Sequence, residues 1–493
     1  MKTSILVFFS LFFSLNASST EKSTITVASK PFTESYILAE ILAQTIENVG
    51  ELNVQRRMGI GATGIIYESL KSKEIDIYPE YTGTISETIL KNKNLKKIDD
   101  INLALNDEQL AITASLGFGN NYALAMQKKS AQQLNLLQLS DLKKNQELRV
   151  GFTHEFMKRE DGYEAFTKFY DIKLSNVSGM EHSLAYQSLS ENKLDLIEVY
   201  STDAKIKKYN LWVLKDDKFF FPQYLAVFLY RKDLEIKFSK TWQAIRRIES
   251  QISEDKMIEL NAKVEIDGWS FEKTAAYFLN TQENPTTGYW QSFLQATKQH
   301  LSLVFISLLL AIVLGLPLGI LAARFTFLGQ LILISTSLLQ TIPSLALLCF
   351  LIPFFGVGYT TAVVALFLYA LLPIVRNTYL GISNIDSKFK DSAFVIGLSS
   401  FQRLYLVEIP LAAPAILSGI KLSAVMNVGT ATLAAFIGAG GYGAIIVTGL
   451  ALNNTKIILQ GAIPSAVLAV LIYFLFELID YLVIPKGIAG RGK

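Results

Sequence analysis

Two stretches of the chain, YESLKSKEIDIYPEY at 67–81 and YQSLSENKLDLIEVY at 186–200, say the same thing twice. Tyrosine opens and closes both, Ser-Leu follows the first tyrosine, and an Asp stands in the same register of each. Both run into a hydroxyl residue, as Tyr81-Thr82 and Tyr200-Ser201. Such residues offer recognition: an aromatic face with a polar tip. In open α/β sheets ligands sit beyond the carboxyl ends of strands, so each phrase brings one tyrosine to a ligand edge. No GxxxxGK[ST] occurs, so the chain does not bind ATP through a Walker A loop.

The elements behind these tyrosines are a helix followed by a strand. The helix carries the first Tyr, Ser and Leu, and short apolar-rich runs, Glu74 to Tyr78 and Lys193 to Val199, read as the strands. Two such units facing one another make a cleft between two lobes. Tyr67 and Tyr186, on the helix side, are expected to serve the fold.

Composition divides the chain in two. With 51% hydrophobic residues and 18% charged ones it is too apolar for an ordinary soluble protein. Charge is mixed with short apolar runs up to about Asn284, whereas apolar stretches of roughly 20 residues dominate from about His300. The start, MKTSILVFFSLFFSLNASS, has the layout of a secretory signal over residues 1–20; a short first transmembrane helix is the alternative and leaves the next residues on the same side. The sole cysteine, Cys349, lies in an apolar stretch, which excludes a disulfide framework. A net charge of +3 without a basic stripe argues against nucleic acid. The polar stretch NTQENPTTGYWQ, from Asn280 to Gln291, leads into an expected linker over 284–298 and reaches no more than roughly 40 Å when extended.

Candidate membrane spans are Leu301 to Ala323, Leu328 to Phe354, Thr360 to Leu380, Leu411 to Ile437 and Ile457 to Ile484. With residues 21–283 outside, five crossings place Arg324, the segment from Asn384 to Arg403, and Lys486, Arg491 and Lys493 in the cytoplasm, as the positive-inside rule requires. Lys421, Glu477 and Asp480 fall near expected cytoplasmic ends, where they can snorkel.

The cytoplasmic stretch DSAFVIGLSSFQRLYLVEIP, from Asp391 to Pro410, resembles the EAA coupling motif of ATP-binding-cassette importer permeases. Asp391, Ser392, Ala393, Gly397 and Pro410 carry the match, within a loop at 388–410. Small residues and a glycine turn allow two short helices to lie close, and Pro410 can open the next span. LLQTIPSLALL at 338–348 and AAFIGAGGYG at 434–443 resemble the permeases of osmoprotectant importers. This resemblance implies a permease domain over 299–493, at the inner membrane, working as a homodimer with a separate ATPase that binds the ATP. No cofactor or metal is implied on this chain, and it is not expected to be an enzyme.

ITVASKPFTE at 25–34, YPEYTGT at 78–84, NNYALA at 120–125, HEFMKREDGY at 154–163, VYSTDA at 199–204 and FFPQYLA at 220–226 occur in the order of osmoprotectant-binding proteins, which the exported half resembles. The implied fold is α/β and two-lobed, the type II periplasmic-binding-protein or venus-flytrap fold, with one lobe over 24–121 and 226–283 and the other over 122–225. It precedes an all-α transmembrane domain of about five helices. The resemblance also implies an aromatic cage of Phe32, Tyr81, Tyr122, Tyr200 and Tyr224 for a quaternary ammonium, and Lys30, Thr84 and Arg159 for a carboxylate. A methylated cation has no N–H to donate and is held by the negative faces of rings.

The expected function is therefore import of carboxylated quaternary ammonium compounds such as glycine betaine, proline betaine or carnitine. Thr84 favours a zwitterion over choline, since an Asp there would repel a carboxylate. Ergothioneine and choline are alternatives within the class. A ligand-gated channel is the rival from another class, but a channel has no use for the Asp391–Gly397 stretch. A sensor would need a cytoplasmic output domain, and the tail after Ile484 is too short for one.

Overall fold

The computed structural model describes residues 22–484 except 62, 93–94, 160–161, 222–223, 283–288 and 453. The expected signal segment and the start of the linker lie outside the described residues. From Tyr289 the chain is already helical, so the stretch 289–298, expected within a linker, is instead the first part of a long helix.

Ten strands form two five-stranded sheets. The first has the order β2-β1-β3-β10-β4, with β1 at Thr24–Ala28, β2 at Asn53–Arg57, β3 at Ile77–Tyr81, β4 at Leu110–Ile112 and β10 at Ala226–Arg231. The second has the order β7-β6-β8-β5-β9, with β5 at Tyr122–Gln127, β6 at Arg149–Thr153, β7 at Asn176–Met180, β8 at Leu196–Tyr200 and β9 at Leu211–Val213. In each sheet one strand runs against its neighbours: β10 pairs antiparallel with β3 and β4, and β5 with β8 and β9. The two antiparallel strands are the ones reached when the chain crosses between lobes.

The repeated phrases become the same unit in both lobes. α2 (Thr63–Lys71) leads to β3 and α3 (His182–Ser190) to β8, the middle strand of each sheet. The strands begin at Ile77 and Leu196, three residues later than Glu74 and Lys193, where the sequence pattern starts them. The intervening residues close the helix: Glu74 and Ile75 N–H donate to Ser69 O, and Lys193 and Leu194 N–H to Ser188 O. Lys73 and Asn192 take the left-handed conformation that such a stop requires. The repeated Asp has one job in both copies. Asp76 accepts the Thr26 N–H at 2.7 Å and Asp195 the Arg149 N–H at 2.9 Å, pinning each phrase to the adjacent parallel strand, at the middle of β1 and the start of β6. Leu70 and Leu189 fill the space beneath and are buried.

The membrane half is helical: α4 (Tyr289–Arg324), α5 (Thr326–Thr341), α6 (Ser344–Phe355), α7 (Tyr359–Ser383), α8 (Ser387–Val395), α9 (Ser400–Arg403), α10 (Ile409–Thr430), α11 (Tyr442–Ala451) and α12 (Thr455–Val483). Among the described residues four helices are long and apolar enough to cross a membrane, and a bent pair makes up to five. The stretch from Leu328 to Phe354, expected as one span, is that pair. α5 and α6 meet at 104°. Pro343 lacks an N–H and pushes Ile342 into extended backbone at ψ 126°, which ends α5. Lys421, Glu477 and Asp480, expected near cytoplasmic ends, are brought together: Lys421 Nζ lies 2.7 Å from Glu477 and 3.3 Å from Asp480, so one cation joins two carboxylates between α10 and α12.

Backbones of the spans approach closely at glycine. A Cβ on Gly419 of α10 would lie 2.7 Å from Pro373 O and 2.8 Å from the Asn377 side chain of α7. Gly429, on the same helix, faces open space. Small residues at helix contacts are how membrane bundles gain packing without a hydrophobic driving force. Gly419→Leu is therefore expected to cost about 1 to 3 kcal/mol in overpacking and to lower the thermal midpoint of the purified protein, while Gly429→Ala leaves it unchanged or higher. Equal midpoints for the two variants would contradict this packing.

Candidate ligand-binding site

Strand register gathers the tyrosines. An antiparallel strand begins beside the point where its neighbour ends, and here Ala226 of β10 stands opposite Tyr81 of β3, while Tyr122 of β5 stands opposite Tyr200 of β8. Tyr122 is the first residue of its strand and Tyr224 precedes β10 by two, so both arrive at the edges that Tyr81 and Tyr200 already occupy. Phe32 sits at the N-cap of α1 (Thr33–Val49), in the turn leaving β1. Its ring centre is 6.4 Å from that of Tyr81 and 6.5 Å from that of Tyr200. Tyr122 is 5.4 Å from Tyr200 and 5.5 Å from Tyr224. The five rings line one cavity of about 450 Å³ between the lobes. Gly83 makes room for one of them, since a Cβ there would lie 2.4 Å from the Tyr224 ring.

The three residues expected at a carboxylate are placed differently from one another. Thr84 is buried and lines the cavity. Lys30 lines it too, with its Nζ 2.6 Å from Glu80 and 3.3 Å from Thr63 Oγ1. Arg159 stands behind the wall: its guanidinium lies over the rings of Tyr122 at 5.5 Å and Tyr224 at 5.8 Å, donates to the Tyr224 hydroxyl at 3.4 Å, and pairs with Glu155 at 3.5 Å. It touches the cage without being among the residues that line the cavity.

The sequence reading missed the polar frame around the rings. Glu34, in the first turn of α1, is fully buried and accepts from the Tyr81 hydroxyl, Asn120 Nδ2 at 2.9 Å, Thr202 Oγ1 at 2.6 Å and Asn261 Nδ2 at 3.1 Å. Thr202 follows β8, so this carboxylate ties the first lobe to the second. Burial raises the Glu34 pKa, although the four hydrogen bonds pull it down. The Tyr81 hydroxyl is pushed well above its ordinary value by burial and by Glu34 beside it. Glu34 closes the quoted motif ITVASKPFTE, so the signal was present there.

A second set lies beneath Tyr200. His182 stacks on its ring at 4.5 Å, with Nε2 2.9 Å from Asp203 Oδ2. The same oxygen accepts from the Tyr186 hydroxyl at 2.7 Å and the Tyr200 N–H at 2.9 Å, so Tyr186 supports a cavity residue as well as the fold. Burial lowers the His182 pKa, but Asp203 outweighs it and the net shift is upward. Asp203 is raised by burial and lowered more by His182 and its hydrogen bonds, ending below its usual range. Glu198, inside β8, is pushed up to about 7 by burial, against the attraction of His182 and the donors of Thr153.

Aromatic faces dominate one side of this cavity, and Glu155, Glu181, Asp203 and Glu265 add negative charge around it. That lining suits a compact ligand with a diffuse positive charge and no N–H to satisfy. Among the described residues no cluster of His, Cys, Asp and Glu could hold a metal ion.

Comparison with known proteins agrees with this division. The family model for the substrate binding domain of ABC-type glycine betaine transport systems matches residues 23–281, and that for binding-protein-dependent transport system inner membrane components matches residues 315–486. A carnitine transport permease protein of Listeria monocytogenes is 43% identical over 197 residues, covering 40% of this chain and 90% of that protein. An ergothioneine transport permease/ergothioneine binding protein of Helicobacter pylori is 35% identical over 251 residues, 50% of this chain and 45% of that protein. A crystal structure of a glycine betaine/carnitine/choline ABC transporter is 29% identical and covers 52% of this chain and 97% of that one, with a TM-score of 0.46.

Glu198 and His182 give the folded state a pH dependence of one sign. A carboxyl raised from 4.5 to about 7 binds its proton more tightly when folded, so stability falls as pH rises through that interval. The raised His182 contributes stability below its ordinary value of 6.5 that is lost as pH rises through its folded value. The thermal midpoint should therefore fall between about pH 5 and about pH 8, and Glu198→Gln should flatten that profile. An unchanged slope in the variant would contradict the assignment.

Proposed function

The chain belongs to the family of substrate-binding domains of ABC-type glycine betaine transport systems, fused here to a binding-protein-dependent inner membrane component, and from that premise we propose that it imports small quaternary ammonium compounds bearing a carboxylate, glycine betaine and carnitine foremost. The carrying observation is the convergence of Phe32, Tyr81, Tyr122, Tyr200 and Tyr224 on one cavity. Ring faces attract a methylated cation by about 0.5 to 2 kcal/mol each, the upper end where the site is desolvated. Thr84 and the remaining donor of Lys30 are the groups nearest to hand for a carboxylate, and Arg159 reaches it by turning from the Tyr122 and Tyr224 rings. Ergothioneine is a second reading, favoured by a cavity larger than the few atoms of glycine betaine fill and by the relative of Helicobacter pylori.

Transport rather than gating follows from the membrane half. The multi-pass inner membrane component leaves no place for the ligand-gated channel. α8 and α9 form a short hairpin that turns at Gly397, whose φ is +89°, and Pro410 stands in the first turn of α10. Asp391 and Ser392 lie on α8 with Ala393, which is buried, while Val395, Ile396 and Phe401 are more than three-quarters exposed. An apolar knob of this kind suits a groove of a separate cytoplasmic ATPase, which would supply the ATP. Two copies of the permease with two ATPases complete the proposed importer. Closure of the lobes on ligand then biases the permease toward the state that ATP drives inward.

Titration of the full chain with glycine betaine, carnitine, choline and ergothioneine tests the substrate class; binding of none of them would overturn it. Tyr81→Ala and Tyr200→Ala should each weaken the bound ligand by about 1 to 3 kcal/mol, with Tyr→Phe close to wild type, because the ring face carries the attraction. Arg159→Ala should weaken glycine betaine by about 2 to 5 kcal/mol and choline far less. Gly397→Leu should abolish uptake by the assembled importer while leaving ligand affinity unchanged, since a left-handed turn excludes a branched side chain. Uptake at the normal rate would remove the coupling assignment.

A further inference from the structure

The wall of the ligand cavity is not built by the two lobes alone. Phe436 and Ala451 line it as well, and both belong to the membrane half. Both belong to one segment: a 3-10 helix of about two turns at Ala431–Ile437, a glycine turn, and α11. Within the turn Gly438, Gly440 and Gly441 have φ of +71°, +79° and +74°. This left-handed run is held from behind by α4. Gln299 Oε1 accepts the Gly441 N–H at 3.0 Å, a Cβ on Gly440 would fall 2.3 Å from the same atom, and the Tyr442 hydroxyl donates to Thr297 at 3.0 Å.

From the front, the turn is pressed against the first lobe. A Cβ on Gly61 would lie 2.9 Å from Phe436 O, and one on Gly438 would lie 3.1 Å from Ile60 Cγ1. Ile60 and Ile66 share a buried apolar cluster with Ala434, Ile437 and Ala439. The segment after β2, which leads into α2, is thus packed on the permease at the same place where the cavity opens toward it. A Cβ on Gly61 would also lie 2.7 Å from Ile65 Cδ1 of its own lobe, the mobile end of a side chain, whereas the Phe436 O is backbone; the backbone at Gly61 is not left-handed, so the space and not the conformation calls for glycine.

We infer that Phe436 is a gate residue: the permease supplies the last wall of the ligand chamber through Phe436 and Ala451, on either side of the turn at 438–441, and ligand passes to the membrane pathway by displacement of that wall. A binding domain floating free of its permease would have an opening where Phe436 stands. The placement of the gate stands on the contacts just given; only the nature of the ligand rests on the proposed import of quaternary ammonium compounds.

Because Cys349 is the only cysteine, Cys349→Ser gives a background in which Phe436→Cys reports alone. The full chain in lipid nanodiscs is labelled with a water-soluble maleimide, with Leu103→Cys, on an exposed helix of the first lobe, as the reference position. In the absence of ligand, adding Gly61→Ala should lift the turn and speed labelling at 436 severalfold without changing it at 103. No change would overturn the gate, whatever the protein transports. With a ligand that titration shows to bind, at about ten times its Kd, labelling at 436 should slow about tenfold while that at 103 is unaffected. Undiminished labelling under saturating ligand would likewise overturn it. If none of glycine betaine, carnitine, choline and ergothioneine binds, the substrate class fails, and the Gly61→Ala comparison still decides the gate.

Discussion

Everything in the cleft depends on where two antiparallel strands begin. β5 and β10 are the strands by which the chain crosses between lobes, and each starts opposite the last residue of a central parallel strand. Parallel strands alone would deliver one tyrosine per lobe to the ligand edge. The reversed strand adds a second from the other direction, so Tyr122 joins Tyr200 and Tyr224 joins Tyr81. A one-residue slip in either register would turn these side chains to the opposite face of the sheet. The Asp of each repeated phrase opposes such a slip on the other flank, since Asp76 and Asp195 lock β3 and β8 to the neighbouring strands β1 and β6.

A cage of rings for a cation has to be rigid without filling itself, and the buried charges serve that end. Glu34 takes hydrogen bonds from both lobes and fixes the Tyr81 hydroxyl, which leaves the ring of Tyr81 as the group offered to the cavity. His182 and Asp203 hold Tyr200 in the same manner from below. Removing one partner from such a network leaves an uncompensated buried group, so these side chains are costly to change even though none of them need touch the ligand. Arg159 stands over two of the rings, Tyr122 and Tyr224, and Lys30 lies 5.9 Å from the ring centres of Phe32 and Tyr81, so the protein sets its own cations against the cage.

The sequence was informative wherever a local pattern dictates geometry. The helix-then-strand phrase, the soluble and membrane halves, the two short helices around Gly397 and the meeting of five aromatic residues could all be read from it, with the family resemblance supplying Phe32, Tyr122 and Tyr224, which no local pattern singles out. Strand starts were misjudged by three residues because Lys73 and Asn192 close their helices in the left-handed conformation, which Lys73 does not advertise and which Asn192, a residue type common at helix ends, does. The bend at Pro343 was hidden inside an apolar run whose hydropathy alone reads as one span. Contacts between residues far apart in the chain were beyond reach: Glu34 meets Asn261 across 227 positions, and Phe436 meets Gly61 only because the lobe is seated on the permease.

The central claim is that ring faces hold a positive charge here, and shape alone does not. Calorimetric titration of the full chain with glycine betaine and with tert-butylacetate, its uncharged-head isostere, separates the two at constant shape. If several rings each contribute about 0.5 to 2 kcal/mol of cation–π attraction, the isostere should bind at least about tenfold more weakly. Equal affinities would mean that the cavity recognises only a bulky apolar head, and the aromatic cage as described would be contradicted.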